Sequence, residues 1–173
     1  MDFDSIYGYI KIDRDYDRSV NFIKSLGKDK SYPFINTNMF SFGDDEIPYY
    51  YDNPIFGFAA TYKTFGYEVS EWNKLILKIE NILRNIDFEN AQFHVDSSMG
   101  PYTLFWRKEG ASHLGAENDK KFIEEYQLIK TPEWYFGFGK RSSLSGSLEK
   151  AEPYYDLRNT FGSDFVYPIP SAL

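Results

Sequence analysis

Cysteine is absent from this chain, histidine is scarce and long apolar runs are missing. The absence of cysteine excludes disulfides, thiolate metal sites and a cysteine nucleophile. The first four residues, Met1 to Asp4, are acidic and lack the basic and apolar regions of a signal peptide. No apolar stretch has the length that a membrane-spanning helix needs. These absences predict a soluble cytoplasmic protein that does not enter a membrane.

Basic residues are outnumbered by acidic ones. The chain has 19 Lys and Arg against 26 Asp and Glu, which gives a formal net charge of −7. The longest basic runs are pairs, such as Lys120-Lys121 and Lys140-Arg141. Because contacts to phosphate need clustered Lys and Arg, the composition argues against nucleic-acid binding. A generally solubilising surface explains the negative charge, and attraction to a basic partner is the alternative.

Aromatic residues are abundant, at 20% of the chain, with 16 Phe and 15 Tyr. Disordered chains are poor in aromatics, so this composition predicts a folded protein. A length of 173 residues suits a substantial core, and we predict a single globular domain over 1–173. Because each buried tyrosine hydroxyl needs a hydrogen-bond partner, we expect part of the tyrosine surface to be exposed.

Runs rich in strand-forming residues alternate with helical patterns, two longer ones near the start and middle of the chain and two short ones that begin at Asn118 or Asp119 and near Pro153. The first helix is expected to begin after Asp13 or Asp15 and to end near Gly27. The second takes Ser70 as its N-cap and carries an apolar stripe, with Glu80 among the polar residues of its other faces. Strands are predicted at 6–12, 34–42, 54–63, 91–97, 102–108 and 134–140.

The order of these elements indicates the fold class. The consecutive strands at 91–97 and 102–108 flank Ser98-Met99-Gly100-Pro101, a turn-forming sequence, and predict a hairpin. We therefore predict an α+β fold, with a mostly antiparallel sheet and helices packed on one face. The Ser/Gly-rich segment 141–147 is predicted to be flexible, and two prolines predict an extended tail over 163–173.

Glycine stands between aromatic residues three times, in Tyr7-Gly8-Tyr9, Phe56-Gly57-Phe58 and Phe136-Gly137-Phe138. Each of these pieces lies in a predicted strand. Glycine inside a strand marks a bulge or a close approach of two backbones. We expect three such strands to bend around one core.

The stretch 44–52 concentrates four carboxylates and three consecutive tyrosines, and it contains no basic residue. Its proline and its acidic run argue against a helix and predict an acidic, aromatic loop. Carboxylates attract a basic partner, and tyrosine supplies large contact area with a polar tip. A structural turn that buries one tyrosine is the alternative. The predicted partner-binding residues are Asp44, Asp45, Glu46, Tyr49, Tyr50, Tyr51 and Asp52.

In its size, negative charge, aromatic content and α+β pattern, the chain resembles the immunity proteins of bacterial polymorphic-toxin and contact-dependent growth inhibition systems. The resemblance lies in overall character rather than in a motif, and it carries no residue roles. It implies a protein that binds a cognate toxin domain, a basic nuclease by preference, and occludes the active site of that toxin. Such a complex would protect the producing cell.

His94 and Asp96 offer a catalytic alternative. They lie two residues apart in a predicted strand, so their side chains share one face of the sheet. A carboxylate can orient an imidazole for acid–base catalysis, and His113 follows in a nearby loop. These residues would suit a small hydrolase or nuclease. A polar surface strand explains the same pair without catalysis.

No cofactor and no metal ion are predicted. Asp13, Asp15 and Asp17 resemble the start of a calcium loop, but Arg18 and Lys24 stand where that loop needs glycine and glutamate. The three aspartates suit the positive end of a helix instead. The chain also has no dinucleotide-binding or Walker sequence.

A third alternative is a structural or adaptor domain that associates with itself. An edge strand rich in Phe and Tyr can pair with the same strand of a second copy. Molar mass measured by light scattering distinguishes this alternative from the other two.

Overall fold

The computed structural model describes residues 3–42, 54–98, 100–109 and 129–140, together with Tyr167. Within these ranges the strands are β1 (Asp4–Ile12), β2 (Phe40–Ser41), β3 (Ile55–Tyr62), β4 (Phe88–Ser97), β5 (Gly100–Lys108), β6 (Ile129–Lys130) and β7 (Trp134–Lys140). The helices of the same ranges are α1 (Tyr16–Lys24) and α2 (Val69–Asn85), with a short 3-10 turn at Thr37–Met39. The seven described strands form one antiparallel sheet in the order β2-β3-β1-β4-β5-β7-β6. The predicted α+β fold is confirmed.

One face of the sheet is apolar, and both helices pack on it. The buried side chains of β3 are those that the two-residue period predicts, namely Phe56, Phe58, Ala60 and Tyr62. Trp72 of α2 lies against Tyr102 of β5, with ring centroids 5.5 Å apart. Tyr16 of α1 lies against Phe56, with centroids 5.3 Å apart. This face, the inner face of the sheet, therefore carries the core.

The centre of the sheet is closely packed at Gly8. This residue of β1 lies between Phe58 of β3 and Phe93 of β4 in the registers of the two pairings. A Cβ atom built on Gly8 would lie 2.0 Å from the carbonyl oxygen of Gln92 and 2.8 Å from the Cα atom of Phe93. The close backbone approach expected of a strand glycine is present here.

Helix α1 begins where the sequence predicts and ends earlier. The carboxylate of Asp15 accepts a hydrogen bond from the backbone N–H of Arg18 at 3.1 Å, which makes Asp15 the N-cap. The last helical residue is Lys24, and the N–H of Ser25 already bonds to the carbonyl oxygen of Phe22 at 3.0 Å. The prediction that the helix ends near Gly27 is therefore wrong, because Ser25 closes the last turn first.

The predicted strand at 34–42 is largely wrong. Only Phe40–Ser41 pairs with β3, and Thr37–Met39 forms the 3-10 turn. The residues before it are held by hydrogen bonds from side chains instead of by backbone pairing with another strand. The hydroxyl of Tyr62 donates to the carbonyl oxygen of Phe34 at 2.5 Å, and the carboxylate of Asp29 accepts from the N–H of Ile35 at 3.0 Å. Local side-chain bonds therefore replace strand pairing there.

Helix α2 starts with Val69, so the prediction of Ser70 as its N-cap is wrong. A carboxylate inside the first turn takes the capping role. Glu71 accepts from the N–H of Gly66 at 2.9 Å and from the N–H of Glu68 at 3.4 Å. Gly66 has a φ of 92°, a left-handed conformation that glycine adopts without strain.

The apolar stripe of α2 is buried as predicted, but the prediction that Glu80 lies on an outward face is wrong. Trp72, Leu75, Ile76, Ile79, Leu83 and Ile86 all lie in the core. Glu80, expected on an outward face, is 0% exposed. The carboxylate of Glu80 accepts from the indole N–H of Trp106 at 2.9 Å. That hydrogen bond allows Glu80 to be buried, because a buried carboxylate needs a donor.

The hairpin of β4 and β5 and the strand at Trp134–Lys140 are confirmed. The predicted flexible segment 141–147 lies outside the described residues, and so does the predicted extended tail over 163–173 apart from Tyr167. Neither helix of the described ranges combines the length and the apolar character that crossing a membrane requires.

Candidate functional site

The predicted partner-binding residues Asp44, Asp45, Glu46, Tyr49, Tyr50, Tyr51 and Asp52 lie outside the described residues. In the sequence this stretch stands between Phe42, which follows the edge strand β2, and Pro54, which precedes β3. The two strands are neighbours at one edge of the sheet.

Both ends of this connection are anchored. The ring of Phe42 lies edge-on to the buried ring of Phe56, with centroids 5.0 Å apart, and the ammonium of Lys24 lies 5.7 Å from the centre of the Phe42 ring. At the other end, the N–H of Ile12 donates to the carbonyl oxygen of Pro54 at 3.0 Å. The described residues that flank the acidic stretch, Phe42 and Pro54, are therefore both bonded to or packed against the sheet.

Charge is distributed unevenly along the chain. Among the described residues, acidic and basic side chains are nearly equal in number, whereas 44–52 has four carboxylates and no base. Several basic side chains of the described part are paired with carboxylates. Lys11 lies 2.8 Å from Glu89, and Lys130 lies 3.0 Å from Glu109. For its length, the stretch 44–52 is therefore far more acidic than the described part of the chain.

The face of the sheet opposite the helices, the outer face, carries a row of polar and aromatic side chains. Tyr7 of β1, His94 of β4 and Thr103 of β5 follow one another across it in register. Tyr7 and His94 are half-buried, whereas Thr103 is 1% exposed. The rings of Tyr7 and His94 lie 5.5 Å apart and are tilted by 47°.

His94 is held by neighbouring side chains on this outer face. Its Nδ1 lies 2.9 Å from Oγ1 of Thr103, and its Nε2 lies 3.3 Å from the amide nitrogen of Gln92. Both ring nitrogens therefore face neutral polar groups, and the group at Nδ1 is a hydroxyl, which can donate or accept a hydrogen bond.

Asp96 lies on the same face as His94, as the strand period predicts. Its Oδ2 accepts a hydrogen bond from the hydroxyl of Tyr7 at 3.0 Å. In a catalytic pair the carboxylate would orient the imidazole through Nδ1, but Nδ1 of His94 faces Thr103 instead. His113, the third member of the catalytic alternative, lies outside the described residues.

The sequence pattern misses Thr103 and Tyr7 as partners of His94 and Asp96. The two-residue period of β1, β4 and β5 places all four residues on one face, so the face was available from the sequence. The pairing was not, because it depends on the register of the hairpin. His94 is opposite Thr103, since the hairpin closes with Ser97 opposite Gly100.

Tyr9 lies beside an ion pair on the outer face. Burial raises the pKa of the Tyr9 hydroxyl, and the negative charge of Glu89 raises it further. Glu89 is bonded to Lys11, which follows Tyr9 on the same face of β1. Tyr9 therefore keeps its proton at neutral pH and presents a hydrogen-bond donor.

The aspartates at the start of α1 act as the helix dipole predicts. Asp15 is the N-cap and Asp17 lies in the first turn, while Asp13 lies 3.3 Å from the guanidinium of Arg14. Across the described ranges, no group of three or more His, Asp or Glu side chains has an arrangement that would hold a metal ion.

Comparison of the chain with models of known protein families, with curated proteins and with solved structures finds no match. The functional argument therefore depends on the residues of this chain alone.

Proposed function

We propose that the protein is an immunity protein, a binding protein that neutralises a cognate bacterial toxin domain. The toxin surface it suits is a basic one, such as the phosphate-binding cleft of a nuclease. The acidic stretch 44–52 enters or covers that cleft, with its carboxylates facing Lys and Arg side chains and its tyrosines filling the contact area. The protein acts from the cytoplasm of the cell that makes the toxin.

The observation that carries this proposal is the concentration of four carboxylates and three tyrosines, with no base, within the nine residues 44–52. The described sheet and helices, by contrast, are nearly balanced in charge. A cluster of like charges destabilises the molecule that carries it unless a partner of opposite charge compensates it.

The geometry of His94 supports binding over catalysis. Its Nδ1 faces the Thr103 hydroxyl, and Asp96 accepts from Tyr7, so the pair is not aligned for acid–base work. The outer face of the sheet thus offers a set of mutually bonded polar side chains, which suits a stable surface more than a reacting group.

The test is association with a toxin domain encoded beside this protein. Replacement of Asp44, Asp45 and Glu46 by Lys is expected to slow association with that domain, mostly through k_on and most strongly at low salt. Stopped-flow fluorescence at two ionic strengths measures k_on, and the growth of cells that express the toxin measures protection.

The matched control makes the same change of net charge at separate exposed sites in the described part of the chain. Replacement of Asp17, Glu68 and Glu109 by Lys alters the net charge equally, but these exposed residues lie in α1, before α2 and after β5 rather than in one cluster. We expect this variant to retain most of the association rate at about 0.15 M salt, where the Debye length is about 8 Å. Equal slowing by both variants, or none by either, contradicts the role assigned to 44–52.

A further inference from the structure

A buried carboxylate lies inside the aromatic core at the α2, β5 and β7 end of the molecule. Glu80 of α2 is 0% exposed. Its Oε1 accepts hydrogen bonds from the indole N–H of Trp106 at 2.9 Å and from the hydroxyl of Tyr167. Its Oε2 makes no hydrogen bond to any of the described residues and lies 3.6 Å from Nη2 of Arg84. Each donor to this carboxylate therefore matters, because burial without donors is costly.

Arg84 is directed mainly to another partner. Its Nε lies 3.1 Å and 2.9 Å from the two carboxylate oxygens of Glu133, and its guanidinium lies 4.8 Å from the centre of the Trp134 ring. The guanidinium is thus held between Glu133 and Trp134. The hydroxyl of Tyr167 supplies to Glu80 the hydrogen bond that Arg84 does not.

Tyr167 fits a slot between aromatic side chains. Its ring lies 4.9 Å from the ring of Phe136, and its hydroxyl also lies 3.4 Å from the indole nitrogen of Trp134. Burial raises the pKa of the Tyr167 hydroxyl, and the charge of Glu80 raises it further. The phenol consequently remains protonated and donates to the carboxylate.

We propose that Glu80, Trp106, Trp134 and Phe136 form a docking site for a phenol side chain, which Tyr167 occupies. The aromatic rings accept the ring of the ligand, and Oε1 of Glu80 selects for its hydroxyl. The site therefore prefers tyrosine to phenylalanine. Because Tyr167 follows β7 far along the chain, its docking fixes the position of residue 167 against the sheet.

The first test separates hydrogen bonding from simple packing. Tyr167→Phe keeps the ring and removes the hydroxyl. We expect hydrogen exchange of the Trp106 indole N–H, measured by NMR, to rise about tenfold, since hydrogen bonds to charged groups are worth at least that factor. The control Tyr67→Phe removes an exposed hydroxyl that is bonded to Ser98, and should leave the Trp106 signal unchanged.

A double-mutant cycle tests whether Glu80 is the group that selects for the phenol hydroxyl. In a Glu80→Leu background the carboxylate is gone, so Tyr167→Phe is expected to change the equilibrium constant of unfolding in urea by less than about twofold, against about tenfold with Glu80 present. An equal effect of Tyr167→Phe in both backgrounds overturns the proposal, and so does a Tyr167→Phe variant that exchanges like the wild type.

The second test supplies the ligand separately. Tyr167→Ala in the full chain empties the slot, and p-cresol at millimolar concentration is expected to raise the Tm of this variant. Toluene, which matches the ring but lacks the hydroxyl, should raise it much less, and the wild type should respond to neither. Equal responses to p-cresol and toluene overturn the proposal. If Tyr167→Ala does not fold, the cycle with Tyr167→Phe and Glu80→Leu decides the matter.

Discussion

Gly8 provides the sharpest test of how the sheet is packed. Replacement by alanine places a Cβ atom 2.0 Å from the carbonyl oxygen of Gln92 and 2.8 Å from the Cα of Phe93, and both are backbone atoms. Ordinary contacts of a Cβ start above 3.0 Å, so β1 and β4 must separate by about an ångström or more. β1 is paired on its other side with β3 and cannot move freely.

The expected cost follows from this displacement. Overpacking a well-packed core costs about 1–3 kcal/mol, and a backbone clash at the central strand belongs at the upper end. For a protein of this size, about 3 kcal/mol lowers the Tm by about 6–12 °C. Urea unfolding followed by tryptophan fluorescence gives the free energy, and differential scanning calorimetry gives the Tm.

Two other glycines serve as controls for Gly8→Ala. A Cβ on Gly57 would lie 2.4 Å from Oγ of Ser41, a rotatable side chain on the edge strand β2, and 3.8 Å or more from the other atoms of Ser41, so Gly57→Ala should cost less than about 1 kcal/mol. A Cβ on Gly27 meets no atom of the described residues within 4 Å, and Gly27→Ala should stabilise by about 0.4–1 kcal/mol. A Gly8→Ala variant as stable as the wild type, or three equal effects, refutes the packing described for β1.

Three further predictions concern single carboxylates. Burial raises the pKa of Glu80 above 4.5, despite hydrogen bonds from Tyr167 and Trp106 and the charge of Arg84, so the folded state binds the proton more tightly than the unfolded chain. The contribution of Glu80 to the free energy of unfolding should therefore fall as pH rises from 4.5 through the folded pKa, and Glu80→Gln should flatten that part of the pH profile in urea unfolding. Partial burial alone would raise the pKa of Asp29, but hydrogen bonds from Lys78 and from two backbone N–H groups outweigh it and lower the pKa from 3.8 to about 2. Asp29→Asn should cost about 2 kcal/mol at pH 7, and this difference from the wild type should vanish as pH falls from about 4 to about 2 in the same assay. Glu71→Ala should cost about 1 kcal/mol through the lost bonds at the start of α2, whereas Ser70→Ala should stay within about 0.5 kcal/mol, which thermal unfolding of the two variants compares.

Hydrophobic periodicity was sufficient to predict the strands and helices that bury one regular face. In β3 the alternation of Phe56, Phe58 and Ala60 with exposed residues identifies both the strand and its inner face. The same holds for the stripe of α2 from Trp72 to Leu83. The burial of these elements follows the spacing of their own apolar residues, so a short stretch of sequence is enough to predict it.

Elements held by specific side-chain bonds were not predictable in the same way. Glu80 reads as a surface residue of α2, because its donors, Trp106 and Tyr167, are distant in sequence. The region before β2 reads as a strand, but Asp29 and Tyr62 bond to its backbone from outside it. Such bonds are made by the tertiary structure and leave no local pattern.

The sequence predicted that His94 and Asp96 share one face of the sheet, but it did not predict which residues of β5 lie opposite them. The expected turn at 98–101 would have placed Phe105 opposite His94, whereas closure at Gly100 places Thr103 there. A change of two residues in the length of the turn thus decides which hydroxyl or ring meets the imidazole. The partner-binding role of 44–52 remains a prediction, since these residues lie outside the described part of the chain.

The central position of β1 has a consequence for synthesis of the protein. β1 comes first along the chain, yet it pairs on one side with β3 and on the other with β4. At about 5–20 residues per second, the ribosome adds β4 on the order of ten seconds after β1. Both edges of β1 lack their final neighbours until β3 is made, and one edge lacks its neighbour until β4 is made, so the nascent chain depends on rapid collapse or on a chaperone to prevent association between copies.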